Sequence, residues 1–155
     1  ASDLVVERTA LLPLVHESVK KFGLLFVYKK LSVQIDPIER EVVTDRRWFQ
    51  FILEQVLSNA VKYTKTGGVR IGMEDGALVV ADTGIGIRPE DLPRIFEKGY
   101  TGYNGRIDTR ASGIGLYLAR RTCRALAMGI RVESSPGAGT RVYLTFPAEN
   151  DFLRE

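Results

Sequence analysis

The apolar positions of this chain change period several times, and each change marks an element. Over residues 9–30, Leu11, Leu12, Val15, Val19, Phe22 and Phe26 recur at three- and four-residue spacing, which predicts a helix. Gly23 sits in its centre and predicts a break or a cap there. Residues 32–36 alternate and predict a strand, ended by Pro37. Asp45 is a good N-cap for a second helix over 46–63. After a turn at Thr66-Gly67-Gly68, residues 69–73 and 77–81 read as two strands. Glu74-Asp75-Gly76 joins them as a hairpin. Residues 83–112 are rich in Gly, Pro and Thr, with one short helix predicted near 90–97. Helical spacing returns over 113–127. Two closing strands, 130–134 and 140–146, flank the turn Pro136-Gly137-Ala138-Gly139. In the last strand Val142, Leu144 and Phe146 share one face and Thr145 points outward.

This order predicts an α+β fold: a two-layer α/β sandwich with a mixed sheet covered on one face by helices. The 155 residues suit one domain, residues 1–155, with its core at about 9–147. A loop of 30 residues (83–112) exceeds the roughly 12–15 usual in compact domains and points to a functional segment.

Composition adds mostly exclusions. The net charge of +3, from scattered basic residues, does not call for a nucleic-acid partner. No apolar run approaches the roughly 18–20 residues that span a bilayer, and the N-terminus lacks the order of a signal peptide. Cys123 is the only cysteine, so no internal disulfide forms; helical spacing makes it a small core residue.

Three segments carry candidate chemistry. On the second helix, steps of 100° place Gln55, Asn59 and Lys62 in one polar stripe beside the apolar face of Phe49, Ile52, Val56 and Ala60. Glu54 and Ser58 point away. Such a stripe is either an ordinary core boundary or the wall of a cleft. An Asn amide oxygen suits Mg²⁺, and a Lys one turn on can reach a phosphate. Next, the apolar strand ending at Asp82 is followed by Gly84 and Gly86. That pattern is either a β-turn or a carboxylate placed beside close backbone approach. A carboxylate there can accept from the exocyclic amine of adenine and would repel the carbonyl of guanine. Third, Ser112-Gly113-Ile114-Gly115-Leu116 opens a helix, whose free N–H groups favour anions. It is neither the dinucleotide fingerprint nor a P-loop, because the third glycine and the Gly-Lys-Ser/Thr are missing.

Taken in order, QVLSNAVKYT, DTGIGI, RIFEKGYTGYNGR, SGIGLYLAR and GAGT resemble the ATPase family shared by gyrase, Hsp90, the MutL repair proteins and histidine kinases. The histidine kinase branch is the nearest match. Asn59 falls in its N box, Asp82, Gly84 and Gly86 in its G1 box, Phe96 in its F box, Gly113 and Gly115 in its G2 box, and Thr140 in its final Gly-x-Gly-Thr. The segment from Glu97 to Arg106 is similar to small kinases that sense envelope stress or antimicrobial peptides beside a transporter. The resemblance implies the Bergerat ATP-binding fold with a mobile lid at 97–112, and ATP and Mg²⁺ as cofactors. Asn59 would hold the metal and, with Gln55, form the catalytic pair. Lys62 would touch a phosphate, and Tyr63 would pack near the ribose or base. Asp82 would take adenine N6, with Gly84, Gly86 and Ile87 around it and Thr140 nearby through water. Gly113, Gly115 and Leu116 would offer N–H groups to the phosphates, and Arg106 a lid contact to the γ-phosphate.

The implied activity is γ-phosphoryl donation to a histidine on a separate helical phosphoacceptor domain, then transfer to a response regulator. The parent would be a homodimeric inner- or plasma-membrane protein, with this chain a cytoplasmic and, in isolation, monomeric domain. Gln55 stands where gyrase relatives carry the Glu that activates water, which argues against strong hydrolysis. Ala111 replaces the first glycine of the common G2 pattern. An ATP-hydrolysing clamp and a degenerate nucleotide-binding module are the competing readings. His16 is followed by Glu17, as the phosphorylated histidine of the family is by an acid. But the Arg-Thr-Pro continuation is missing, and Asn59 follows only 43 residues later, too close for an intervening helical hairpin. His16 therefore reads as an ordinary helical residue, and the phosphoacceptor domain as absent from the chain.

Overall fold

The computed structural model describes residues 4–100 and 115–148. Strand β1 (Glu7–Ala10) leads into α1 (Leu11–Lys21) and α2 (Gly23–Lys29). Then follow β2 (Ser32–Ile35), β3 (Glu41–Thr44) and the long helix α3 (Arg46–Tyr63). The hairpin β4 (Gly68–Glu74) and β5 (Ala77–Asp82) comes next, then a single 3-10 turn at Leu92–Arg94. Helix α4 is described over Gly115–Ala125, and β6 (Gly129–Ser134) and β7 (Thr140–Thr145) close the fold.

Five strands form one mixed sheet in the order β2-β4-β5-β7-β6. Only β2 and β4 run parallel; the other neighbours are antiparallel. Strands β1 and β3 pair separately, Glu7 opposite Thr44 and Ala10 opposite Glu41. Alternation sends Val69 and Ile71 of β4, Leu78 and Val80 of β5, and Val142 and Leu144 of β7 into one core with the helices. That core includes Leu11, Leu14 and Val15 of α1, Phe49, Ile52, Leu53, Val56 and Leu57 of α3, and Ala119 and Cys123 of α4. The two-layer α+β arrangement follows, with helices on one face.

Several boundaries differ from the periodic reading. The first helix starts at Leu11, because the residues before it are drawn into the β1–β3 pair. It breaks at Phe22, whose N–H bonds back to Val19 O at 2.9 Å, and α2 restarts at Gly23. A helix over 90–97 does not form. Pro93 sits at the start of the single 3-10 turn that remains, Leu92–Arg94, where its missing N–H costs no hydrogen bond. Asp45 is the N-cap of α3: its Oδ1 accepts from Arg47 N at 3.0 Å and Trp48 N at 3.1 Å. Glu54, off the polar stripe, pairs with Lys21 of α1 at 2.6 Å on the surface. His16 lies exposed on α1, and Cys123 is buried in α4, as expected of each.

Candidate functional site

Asp82 is the last residue of β5, on the same face as Leu78 and Val80, so its carboxylate emerges at the rim of the core beneath the helices. Its Oδ1 accepts from Gly84 N at 2.8 Å and from Thr140 N at 3.2 Å. Oδ2 has no donor among the described residues. Burial pushes the Asp82 carboxyl above its ordinary value, and the two backbone donors only partly offset that. The site thus holds a partly desolvated carboxylate with one oxygen fixed and the other open.

The loop after Asp82 is tied down on three sides. Ile85 N donates to Tyr63 O at the end of α3 (3.1 Å). Ile85 O accepts from Gly137 N (2.8 Å), and Ile87 N donates to Ser134 Oγ (2.9 Å). The Thr83 hydroxyl donates to Thr66 O at 2.8 Å and accepts from Gly68 N at 2.9 Å, locking the loop to the start of β4. Gly86 has φ +80°, and a Cβ there would stand 1.9 Å from Ser135 O. At Gly84 a Cβ would meet Tyr63 O at 2.5 Å and Asp82 Oδ1 at 2.9 Å. Both glycines are required by close approach, not merely by a turn. Thr140 pairs with Asp82 across β5–β7 and with Ser134 across β6–β7, and its hydroxyl lies 2.8 Å from Ser134 Oγ.

Helix α3 forms the opposite wall. Gln55, Asn59, Lys62 and Tyr63 are all half-buried, as are Glu54 and Ser58. Lys62 Nζ sits 6.0 Å from the centre of the Tyr63 ring. The start of the described part of α4 meets this wall: a Cβ on Gly115 would be 2.8 Å from Gln55 Oε1, and Leu116 follows half-buried. Sequence patterning missed Lys29 of α2, whose ammonium donates to Val61 O and Lys62 O. It thereby satisfies carbonyls of the last turn of α3, where the helix dipole is negative. It also missed Thr83 and Ser134, small polar residues whose role appears only once strands far apart in sequence are paired. Arg106 and Gly113 lie outside the described residues, as does most of the expected lid.

The adenine end of a nucleotide fits this donor set on one observation: Asp82 Oδ2 is an unfilled acceptor beside Gly84 and Gly86, where a Cβ would clash.

Residues 44–150 match the family model described as histidine kinase-, DNA gyrase B-, and HSP90-like ATPase. The chain belongs to that ATPase family. Among curated relatives, the sensor protein BceS of Halalkalibacterium halodurans is 41% identical, over 99% of this chain and 47% of its own length. BceS of Bacillus subtilis is 40% identical, over 97% of the chain and 46% of its own. The sensor histidine kinase GraS of Staphylococcus haemolyticus is 37% identical, over 97% and 45%. The chain spans about half the length of these relatives. The ATPase fold is shared with the catalytic domain of histidine kinase ThkA (TM-score 0.78, 21% identity, covering 93% of this chain and 98% of that one). It is shared also with full-length ShkA in complex with AMPPNP (TM-score 0.74, 24% identity, covering 94% and 32%). The chain is thus an ATPase domain of that family, similar to about half of the sensor proteins BceS and GraS.

Proposed function

We propose that this domain binds Mg-ATP with adenine on Asp82 and hands the γ-phosphoryl group to a histidine on a separate helical domain, for onward transfer to a response regulator. The observation that carries this reading is the divided carboxylate of Asp82. One oxygen is fixed by Gly84 N and Thr140 N, and the other is free to accept from adenine N6. Asn59 then orients the metal, Lys62 meets a phosphate, and Tyr63 packs against the ribose or base. Gly113, Gly115 and Leu116 supply N–H groups and Arg106 a lid contact. Mg²⁺, when bound, neutralises phosphate charge. The protein's share is positioning and electrostatic preorganisation. Gln55 has no basic carboxylate with which to activate water, which favours transfer over hydrolysis.

The parent is proposed to be a membrane-anchored homodimer with this domain on the cytoplasmic side. Among the described residues no helix is long and apolar enough to cross a membrane. The narrower assignment to envelope-stress or antimicrobial-peptide sensing rests on the resemblance of the segment from Glu97 to Arg106, and the likeness to the sensors BceS and GraS is in keeping with a sensor role.

Calorimetric titration with ATP tests the site. Wild type should bind more tightly with Mg²⁺ than without. Asp82→Asn should lose roughly 10- to 100-fold in affinity, since an Asn amide turned toward N6 opposes donor to donor and a charged hydrogen bond is worth about 1.5–3 kcal/mol. Equal affinity in the variant would sink the adenine assignment. With γ-labelled ATP the isolated chain should label nothing in itself, and adding the helical phosphoacceptor domain should restore transfer. Self-labelling would place the acceptor within this chain.

A further inference from the structure

We propose that helix α2 is a membrane-surface anchor, which lays its outward face among the headgroups of an anionic bilayer. Amphipathic helices ordinarily turn their apolar stripe inward. In α2 only Phe26 is buried. Leu24 is 87%, Val27 76%, Tyr28 84% and Leu25 47% exposed. At 100° per residue, Leu24, Val27 and Tyr28 fall within about 100° of arc, so they form one continuous outward face. Val33 of the edge strand β2 follows at 38% exposure. Isolated exposed apolar residues are unremarked on any protein surface, but a contiguous group on one short helix marks an interaction site.

Charge selects the partner. No Asp or Glu occurs between Glu17 and Asp36, whereas Lys20, Lys21, Lys29 and Lys30 bracket the apolar face. Two of these serve the fold: Lys21 pairs with Glu54, and Lys29 bonds to α3 carbonyls. Lys20 and Lys30 are exposed and form no ion pair among the described residues. A second copy of this chain would set these lysines against their own counterparts. It would also offer four or five side chains where a stable protein interface needs about 800 Å² per partner. An anionic lipid surface satisfies both halves of the pattern. Leu24 and Val27 reach the acyl boundary, Tyr28 suits the headgroup level, and Lys20 and Lys30 meet lipid phosphates.

Co-sedimentation of the 155-residue chain with vesicles tests this directly. Vesicles of phosphatidylcholine with phosphatidylglycerol should bind the chain at least about tenfold more strongly than phosphatidylcholine alone, and added salt should weaken the binding. The triple variant Leu24→Ser/Val27→Ser/Tyr28→Ser and the double variant Lys20→Gln/Lys30→Gln should each lose about tenfold or more. Both should keep wild-type ATP affinity, so this proposal and the nucleotide site fail or stand separately. If the triple variant does not fold, the lysine pair decides alone. The proposal is overturned if the wild type ignores both vesicle types, or if a folded variant binds like wild type. It is equally overturned if the triple substitution abolishes self-association in ultracentrifugation, or abolishes capture of the helical phosphoacceptor domain, without changing lipid binding.

Discussion

Asp82 pays for its position. Its carboxyl is held above the ordinary value chiefly by burial, so the folded state favours the protonated form. The stability this group contributes is present below the ordinary Asp value of 3.8 and is lost as pH rises through the raised folded value. At neutral pH the ionised side chain is therefore a liability to the fold. Asp82→Asn should leave the melting temperature unchanged or raise it, while weakening nucleotide binding; scanning fluorimetry with and without ATP reads both signs in one experiment. Affinity has the opposite pH dependence. ATP binding should fall as pH drops through the raised Asp82 value, because the protonated oxygen no longer accepts from N6. A titration series in which affinity is flat across that range would contradict the assignment. Glycines divide in a similar way. Gly86→Ala drives a Cβ into Ser135 O at positive φ and should cost on the order of 2–4 kcal/mol, whereas Gly137→Ala, also at positive φ but in open space, should cost about 1 kcal/mol. Chemical denaturation of the pair measures the difference.

At the scale of elements, α3 was legible because its cap and its two stripes are written in one continuous stretch. The cap aspartate, the apolar arc and the polar row Gln55, Asn59 and Lys62 are all local signals. The central strand β5 was legible for a different reason. ALVVA is apolar on both faces because its outer face is also roofed: Ala77 and Val79 are buried beneath Tyr143. Arg131 stacks on that ring at 3.8 Å, and Arg141 Nε donates to its hydroxyl at 3.0 Å. Strands β1 and β3 were not legible. Each has four residues, and their partner is more than 30 residues away, so no local period exists to be read. The same distance hides Lys29, which is one lysine among several until α2 is packed on α3. Lys29→Met should strand the Val61 and Lys62 carbonyls, lowering stability by about 1 kcal/mol and ATP affinity severalfold, with Lys29→Arg recovering most of both. A variant that melts early but binds ATP normally would limit Lys29 to a structural part.

For the whole molecule, the resemblance supplied more than the periodicity did. Periodicity yielded a two-layer fold with an oversized loop. Only the ordered motifs suggested Asn59, Asp82 and Thr140 as one site; of their elements, β5 and β7 are paired neighbours, and α3 packs against β5. Cohesion of that assembly can be followed at Cys123. Its thiol is buried between α4 and the sheet, and burial pushes it up to about 12. Thiol reagents should therefore label the native protein only through opening of the core, at a rate that tracks global unfolding. Rapid labelling under native conditions would show that α4 detaches independently.

The small β1–β3 ladder reaches further than its size suggests. Val5 N donates to Asp45 Oδ2 at 2.8 Å, while Oδ1 of the same carboxylate caps α3. The chain preceding α1 is therefore fastened to the N-terminal end of the helix that bears Asn59 and Lys62 about 20–25 Å along its axis. Mechanically, this makes α3 a strut with the incoming chain at one end and the candidate phosphate contacts at the other. Tension on residues 4–10 therefore reaches the strut, through Val5 and through the Glu7–Thr44 end of the ladder, before it reaches α1.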